Sequence, residues 1–181
     1  MADTYKMTIA GLERELPLCR LNDNLRIAAF VIFGDVEITV ASAEALLKKC
    51  PAFDYIVTPE AKSIPLAYEM ARQSGKPYFV ARKGPKGYMT DPIHVSVKSI
   101  TTEKVQTLYL DGAEGEKMRG KRVLVVDDVI TTGESLHAVV ELLQPFDCEI
   151  VGKAAILAEG DAAERKDIIF LEPLPLFFDQ K

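Results

Sequence analysis

Short apolar runs alternate with segments of helical periodicity along most of this chain, and that alternation limits the possible folds most strongly. Four runs rich in β-branched and aromatic residues are almost continuously apolar, at 55–58, 78–81, 123–126 and 151–157. Such runs are typical of strands buried on both faces of a parallel sheet. The intervening segments predict helices at 42–49, 64–74 and 133–144. The pattern therefore predicts an α/β fold with a doubly wound, mostly parallel sheet.

The size and charge of the chain narrow its class further. Its 181 residues, 48% of them hydrophobic, fit a single domain covering 1–181 and exclude a chain that stays disordered for want of a core. The formal net charge of -5 argues against a nucleic-acid partner or an anionic membrane surface, since both require a positive field. Any phosphate chemistry must therefore use local basic groups.

The cysteines and the N-terminus indicate the compartment. Cys19, Cys50 and Cys148 lie far apart without the spacing of zinc ligands, which predicts small, mostly buried thiols in a reducing cytosol. The sequence begins without the basic and apolar regions of a signal peptide, and no run of 18 apolar residues follows. We therefore expect a cytoplasmic protein.

Two regions depart from the alternating pattern. Residues 84–116 contain two stretches of period two, at 94–100 and 105–110, which predict a β-ribbon lid. Residues 1–40 and the C-terminal segment 172–178 are expected to be irregular and to pack together as a small hood beside the sheet.

The strongest local signal lies at 123–135, where an apolar strand meets two acidic residues and a short polar loop that leads into a helix. In open α/β sheets, ligands bind at the carboxyl ends of the strands. Loop N–H groups and hydroxyls at a helix N-terminus attract an anion, so the loop predicts a phosphate site. The residues of this predicted phosphate loop are Thr131, Thr132, Gly133, Glu134 and Ser135.

The adjacent carboxylates of Asp127 and Asp128 require a separate explanation, because alone they would repel a phosphate. They can accept hydrogen bonds from a vicinal diol or help to hold a hydrated Mg²⁺ ion. A ribose 5-phosphate would satisfy both the loop and the acids. The alternative is that one aspartate merely caps the following turn. The chain contains neither GxxxxGK[ST] nor GxGxxG, so P-loop and Rossmann sites are not indicated.

The pattern Val-Val-Asp-Asp-x-x-Thr-Thr-Gly-x-Ser at 125–135 resembles the phosphoribosyl diphosphate (PRPP) motif of type I phosphoribosyltransferases. The resemblance covers roughly residues 25–160 and is strongest to the adenine and xanthine enzymes. It implies that the 131–135 loop binds the 5-phosphate and that Asp127 and Asp128 bind the ribose hydroxyls. It also implies a homodimer and a Mg²⁺ cofactor bound through PRPP, without a certain protein ligand.

A second anion loop follows the strand at 55–58 and precedes a helix. It resembles the family's pyrophosphate loop, which implies that Ala61, Lys62 and Ser63 bind PRPP and that a cis peptide bond joins Ala61 to Lys62. The alternative is an ordinary solvated loop.

Arg82 and Lys83 end the strand at 78–81 and match the Ala-Arg-Lys of the purine enzymes, with Lys86 as a third nearby cation. The resemblance implies that these cations face the pyrophosphate, and that Arg82 and Lys83 act in catalysis with Asp127 and Asp128. The alternative is a solvated basic face.

The acceptor base is predicted from two features. Ser99-Ile-Thr-Thr-Glu103 repeats a Ser-x-x-x-Glu spacing of adenine enzymes, which implies that Glu103 acts as a general acid or base; the alternative is a surface glutamate. Apolar Ile32 stands where a xanthine enzyme would require a polar side chain. We therefore predict adenine as the base, with xanthine or another purine, or a non-catalytic PRPP-sensing regulator, as alternatives. The predicted apolar lining of the base site is Leu25, Phe30, Phe33 and Val129.

Overall fold

The structure, a computed structural model, describes residues 3–98 and 105–178. The helices are α1 (Val36–Lys49), α2 (Ile64–Ser74), α3 (Gly112–Met118) and α4 (Glu134–Leu143). The strands are β1 (Thr4–Ile9), β2 (Leu12–Asn22), β3 (Leu25–Ala28), β4 (Tyr55–Pro59), β5 (Tyr78–Ala81), β6 (Ile93–Lys98), β7 (Val105–Leu110), β8 (Arg122–Ile130), β9 (Glu149–Glu159), β10 (Ile169–Leu174) and β11 (Leu176–Phe178). Short 3₁₀ segments lie at Gln144–Phe146 and Gly160–Glu164.

A parallel sheet of five strands, in the order β10-β9-β8-β4-β5, forms the centre of the fold. Successive residues of β8 are buried on opposite faces. Leu124 and Val126 pack in the core that includes α1 and α2, whereas Val123 and Val125 pack in the core that includes α4. Burial on both faces explains the continuous apolar runs, and the predicted doubly wound sheet is confirmed.

The strand order places a topological switch point between β4 and β8. The chain passes from β4 to its neighbour β5 on one side and then returns to β8 on the other side of β4. The loops after β4 and β8 therefore leave in opposite directions and open a crevice between them. Ligands of open α/β sheets bind at such a point.

The predicted helices at 64–74 and 133–144 are confirmed as α2 and α4. Helix α1 begins at Val36 rather than at residue 42, because Asp35 caps it by accepting a hydrogen bond from the Ile38 N–H at 3.1 Å. The first turns of α1 contain β-branched residues, which have weak helix propensity, so the sequence pattern did not indicate this part of the helix. Helix α3 was not predicted.

Strand β8 is longer than the predicted 123–126, and this changes the setting of the acids. Pairing with β4 ends at Val125, but pairing with β9 continues to Ile130. Asp127 and Asp128 therefore lie within β8, at positions where β8 no longer pairs with β4 on one side. The expectation that they follow the end of the strand was wrong.

The N-terminal region is regular, contrary to the expectation of an irregular hood. An antiparallel sheet joins β1, β2 and β3 to β11, so the C-terminal segment does pack against the N-terminal one. Arg14 fastens this sheet to α1 through two hydrogen bonds to Asp35, at 2.7 and 3.0 Å. Arg14 also holds the pKa of Asp35 below its usual range.

The ribbon of β6 and β7 is anchored at its base. Leu108 and Leu110 are fully buried in the core beside α4. Tyr109 exchanges two backbone hydrogen bonds with Arg82, both of 2.8 Å. Residues 99–104, and with them the predicted Glu103, lie outside the described residues.

None of the described helices is long and apolar enough to cross a membrane. The thiols differ from the expectation of mostly buried cysteines, because Cys19 lies on the open hood sheet and is exposed, while Cys50 and Cys148 are half-buried. Burial raises the pKa of Cys50 to about 11.

Candidate active site

A cavity of about 840 Å³ opens at the switch point, and we call it the main cavity. Its lining residues are Pro59, Glu60, Ala61, Lys62, Ser63, Lys83, Val105, Gln106, Thr107, Asp127, Asp128, Val129, Glu134 and Ser135. A smaller recess of about 200 Å³ adjoins it and shares part of this lining. The remaining residues of the small recess are Ile130, Thr131, Thr132, Gly133 and Leu136. The structure thus brings both predicted anion loops and both acids to one place.

Two helices begin at the main cavity without a side-chain hydrogen bond from the N-cap residue, although the Glu134 N–H at the start of α4 lies 3.4 Å from Thr132 Oγ1. Among the described helices, α1 and α3 are capped by Asp35 and Asp111. In contrast, the residues that precede α2 and α4, Ser63 and Gly133, make no capping hydrogen bond through a side chain. Uncapped N–H groups and the helix dipole favour an anion. The dipoles of α2 and α4 therefore favour negative charge at two places, one on each side of the acids.

Asp127 and Asp128 are buried, with 8% and 4% of their surface exposed. The Asp127 Oδ1 atom accepts a hydrogen bond from the Asp128 N–H at 2.9 Å. Burial first, and then the charge of Asp128, raise the pKa of Asp127 well above its ordinary value. The Asp128 Oδ2 atom has no hydrogen-bond partner in the part of the chain that the structure describes. A buried acceptor of this kind is suited to a ligand that donates to it.

Lys62 contributes the cation nearest to the acids. Its Nζ atom lies 3.3 Å from Asp128 Oδ2, in an ion pair rather than a well-directed hydrogen bond. Half of the Lys62 side chain is exposed, so the ammonium group can move towards a ligand at little cost.

The 59–63 loop is tied to both neighbouring strands. The buried Thr58 hydroxyl lies 2.8 Å from the Val126 carbonyl oxygen and 2.7 Å from the Ser63 hydroxyl. The Ser63 hydroxyl in turn lies 2.9 Å from the Pro59 carbonyl oxygen. These contacts fix the loop relative to the strand that bears the acids.

The cis peptide bond of this loop joins Glu60 to Ala61, so its expected position between Ala61 and Lys62 was wrong by one residue. The turn is anchored at Glu60, whose N–H donates to the Ala81 carbonyl at 2.8 Å. The Glu60 carboxylate accepts hydrogen bonds from the Lys83 N–H at 2.8 Å and from Arg82 Nε at 3.1 Å. These groups hold the pKa of Glu60 below its usual range, with the Lys83 N–H as the largest cause.

The four predicted cations do not all reach the main cavity. Lys62 and Lys83 line the main cavity, but Arg82 and Lys86 do not. Arg82 instead binds Glu60 and donates from Nη1 to the Tyr88 hydroxyl at 2.8 Å. Arg82 thus stabilises the 59–63 loop through its contact with Glu60 and does not line the cavity. The sequence pattern did not indicate this role.

The 131–135 loop has a partner that the sequence reasoning missed. The Thr131 hydroxyl donates to the carboxylate of Glu159, at 2.9 Å, and Glu159 is 8% exposed. The signal available in the sequence was a single acidic residue directly after the apolar run 151–158. Glu159 ends β9, next to the loop that ends β8.

The predicted base lining is only partly assembled. Val129 lines the main cavity, but Leu25, Phe30 and Phe33 do not. Phe30 is buried in the core, Phe33 is 53% exposed, and Leu25 lies in the hood sheet. Polar groups come instead from β7, which contributes Gln106 and Thr107. Only the period-two pattern at 105–110 could have indicated them.

Ile32 is 1% exposed and belongs to the core beside α1, so its side chain does not reach a ligand in the main cavity. The expectation that Ile32 helps to select the base was therefore wrong.

The donor set also tests the expected Mg²⁺ ion. Asp127 and Asp128 offer carboxylate oxygens, and one of these is buried without a hydrogen-bond partner among the described residues. Those residues contain no cluster of three or more His, Cys, Asp or Glu side chains able to hold a metal by themselves. This fits a Mg²⁺ ion bound by one or two carboxylates together with substrate oxygens and water.

A five-stranded parallel sheet with helices on both faces, and with two helix N-termini beside a buried acidic pair at its switch point, defines an open α/β domain. The sequence signature of the phosphoribosyl transferase domain matches residues 38–174. The chain therefore belongs to the phosphoribosyl transferase domain family.

Individual relatives differ in the base that their names specify. The hypoxanthine/guanine phosphoribosyltransferase of Methanococcus voltae is 37% identical over 112 residues, which are 62% of this chain and 56% of that protein. The orotate phosphoribosyltransferase of Thermococcus gammatolerans is 30% identical over 62% of this chain and 49% of its own length. The chain thus spans about half the length of these two relatives.

Among solved structures, the adenine phosphoribosyltransferase of Leishmania donovani superposes with a TM-score of 0.67, at 21% identity, over 95% of this chain and 75% of that one. This similarity shows that the two chains share a fold.

Proposed function

We propose that this protein transfers the 5-phosphoribosyl group of PRPP to a purine base and releases pyrophosphate. The observation that carries the proposal is the meeting of two uncapped helix N-termini and a buried acidic pair at one cavity. PRPP has the matching chemistry, because it carries a phosphate at one end, a pyrophosphate at the other and a vicinal diol between them. The family to which this chain belongs and the names of its relatives support the same reaction.

Each part of PRPP is assigned to one part of the site. The 5-phosphate binds in the small recess, to the N–H groups and hydroxyls of the 131–135 loop. The ribose hydroxyls donate to Asp127 and Asp128. The pyrophosphate binds the 59–63 loop, where Ala61 and Ser63 supply polar groups and Lys62 and Lys83 supply charge. Arg82 and Lys86 add positive field from behind this loop.

In the reaction, the bond between ribose C1 and the pyrophosphate oxygen breaks, and a ring nitrogen of the base forms the new bond to C1. Positive charge develops on the ribose ring, while negative charge collects on the departing pyrophosphate. Lys62 and Lys83 stabilise the departing charge. A Mg²⁺ ion bound with PRPP would supply further charge neutralisation beside Asp127 and Asp128.

The acidic pair and the ribbon have complementary tasks. Asp127 and Asp128 orient the ribose so that C1 faces the base, and their field stabilises the developing positive charge. The ribbon of β6 and β7 covers the cavity, which excludes water that would hydrolyse PRPP. Glu103 is proposed to manage the proton on the base as a general acid or base.

Adenine is the proposed acceptor, supported by the adenine enzymes among the structural neighbours. Hypoxanthine or guanine is the second candidate, favoured by the names of relatives with 32–37% identity. The Gln106 amide in the cavity wall is compatible with either, since it can both donate and accept a hydrogen bond. A homodimer is also proposed, and light scattering during gel filtration tests it.

The deciding experiment incubates the chain with PRPP, Mg²⁺ and one base at a time: adenine, hypoxanthine, guanine or xanthine. Nucleotide and pyrophosphate are then quantified. AMP formation at a rate well above that with the other bases supports the proposal. Product with hypoxanthine or guanine but not with adenine would overturn the choice of base and keep the reaction. If one PRPP molecule binds per protein chain and none is consumed with any of the four bases, the protein is a regulator instead of an enzyme.

A further inference from the structure

Arg165 lies directly against the 131–135 loop at Gly133 and does not line the small recess. Its Nη1 atom sits so close to Gly133 that a Cβ atom at that position would overlap it. Gly133 also has a φ of +81°, a conformation that other residues adopt at a cost. The φ value is the reason for a glycine at position 133, and the short distance shows that the guanidinium group of Arg165 packs against the loop at this residue.

The orientation of Arg165 is fixed by Asp167. Nε and Nη2 of Arg165 donate to the two carboxylate oxygens of Asp167, at 2.9 and 2.8 Å. This bidentate pair leaves Nη1 directed at Gly133 and holds the pKa of Asp167 below its usual range. Lys153 lies 3.3 Å from the same carboxylate. Two cations thus share one anion, and the cluster keeps an excess positive charge next to the loop.

A phosphate in the small recess would be stabilised by a positive charge that lies outside the lining of the recess. Its lining contains Asp127 and Glu134 but, among the residues that the structure describes, neither lysine nor arginine. Glu159 adds a third carboxylate through its hydrogen bond with Thr131. Within the lining that the structure describes, an incoming phosphate would bind through backbone N–H groups and hydroxyls, without a lysine or arginine side chain.

We infer that Arg165 is a positioning residue for the phosphate bound by the 131–135 loop. Its Nη1 atom packs against the loop at Gly133, and its charge offsets the nearby carboxylates from outside the lining of the recess. Asp167 aims the guanidinium group and partly neutralises it. This inference rests on the proposed function, because it takes the ligand of the loop to be a phosphorylated ribose.

The experiment measures binding of two probes to the full chain by calorimetry. Ribose 5-phosphate reports on the 131–135 loop, whereas inorganic pyrophosphate reports on the 59–63 loop. The variants are Arg165→Gln, Arg165→Lys and Asp167→Asn. Arg119→Gln is the matched control, since Arg119 also makes a bidentate pair, with Glu116, but at the end of α3.

Arg165→Gln should weaken ribose 5-phosphate binding about three- to tenfold, the size expected for one charge near a helix N-terminus. Pyrophosphate binding should stay unchanged in every variant, which also shows that the variants are folded. Arg165→Lys should recover part of the loss because it keeps the charge. Asp167→Asn should bind ribose 5-phosphate at least as tightly as the wild type, because it removes the counter-charge.

Wild-type affinity in Arg165→Gln would overturn the inference, and so would a loss in Asp167→Asn as large as that in Arg165→Gln. The second result would mean that the ion pair merely maintains local structure. If Arg165→Gln does not fold, the lysine and Asp167→Asn variants still decide the question. Failure of the wild type to bind ribose 5-phosphate at all would instead count against the proposed function.

Discussion

The Thr131 hydroxyl donates its hydrogen bond to Glu159 Oε2 across 2.9 Å, so the proton of that hydroxyl is committed to a carboxylate. Thr131 lines the small recess, but it faces a ligand there with oxygen lone pairs rather than with a donor. The loop that the sequence marks as a phosphate site therefore has its first hydroxyl engaged elsewhere.

Glu159→Gln should tighten ribose 5-phosphate binding about threefold or more, because a charge-assisted contact to a phosphate is worth more than a neutral one. The amide can donate to Thr131 and free the threonine proton for the phosphate, and the substitution also removes a negative charge. Calorimetry measures the effect, and the same substitution in a Thr131→Val background should gain less. Weaker binding in Glu159→Gln would show that the carboxylate itself is required.

Asp127→Asn together with Asp128→Asn should abolish turnover and leave the fold intact. The amides keep the shape of the side chains but lose the charge that binds the ribose hydroxyls. Circular dichroism and the nucleotide assay provide the two readouts, with the exposed Asp147→Asn as a control. Activity retained in the double variant would remove the diol-binding assignment.

The single variant Asp127→Asn should be more stable than the wild type at pH 8, by about 2–4 °C in Tm. The pKa of Asp127 is raised in the folded chain, so its ionised form destabilises the fold and the wild type loses stability as the pH rises through that pKa. The asparagine does not ionise. The difference in Tm should therefore grow between pH 5 and pH 8, and an equal difference at both pH values would contradict this reasoning.

Lys83→Gln should weaken pyrophosphate binding about tenfold, whereas Arg82→Gln should weaken it much less. Of these two cations, Lys83 lines the main cavity, whereas Arg82 is held by Glu60 and Tyr88. Titration of both variants with pyrophosphate compares the two cations directly. Equal losses would mean that Arg82 leaves Glu60 when the ligand binds.

Thr58→Val should cost about 1–2 kcal/mol of stability and also weaken pyrophosphate binding. The hydroxyl links the 59–63 loop to the Val126 carbonyl, and valine fills the same space without that link. Thr39→Val is the matched control, since the Thr39 hydroxyl donates to the Asp35 carbonyl at 2.7 Å within the first turn of α1 and makes no hydrogen bond to the described residues of the 59–63 loop. Denaturant unfolding should show a loss in both variants, but pyrophosphate binding should change in Thr58→Val alone.

The central sheet was predictable because its strands are buried on both faces. Continuous apolar runs such as that at 55–58 have few alternatives, and helix α2 is delimited by local signals such as Gly75 in the left-handed conformation. Part of the hood sheet has a local signature, because β1 alternates polar and apolar residues and pairs with β2 across the two-residue turn at Ala10 and Gly11. The addition of β11 to this sheet depends instead on contacts between residues far apart in the sequence. The pairing of Leu176 with Ile27, for example, has no local signature.

By itself, the sequence determined the local chemistry of the site. Two acids adjoin the apolar run at 123–126, and a polar loop precedes each of the helices α2 and α4, which are features of neighbouring residues. Tertiary structure alone decided which charges act together. It placed Arg82 against Glu60, Glu159 against Thr131 and Arg165 behind Gly133. These contacts join residues up to 32 positions apart, and the strand order of the sheet brings them together rather than any pattern along the chain.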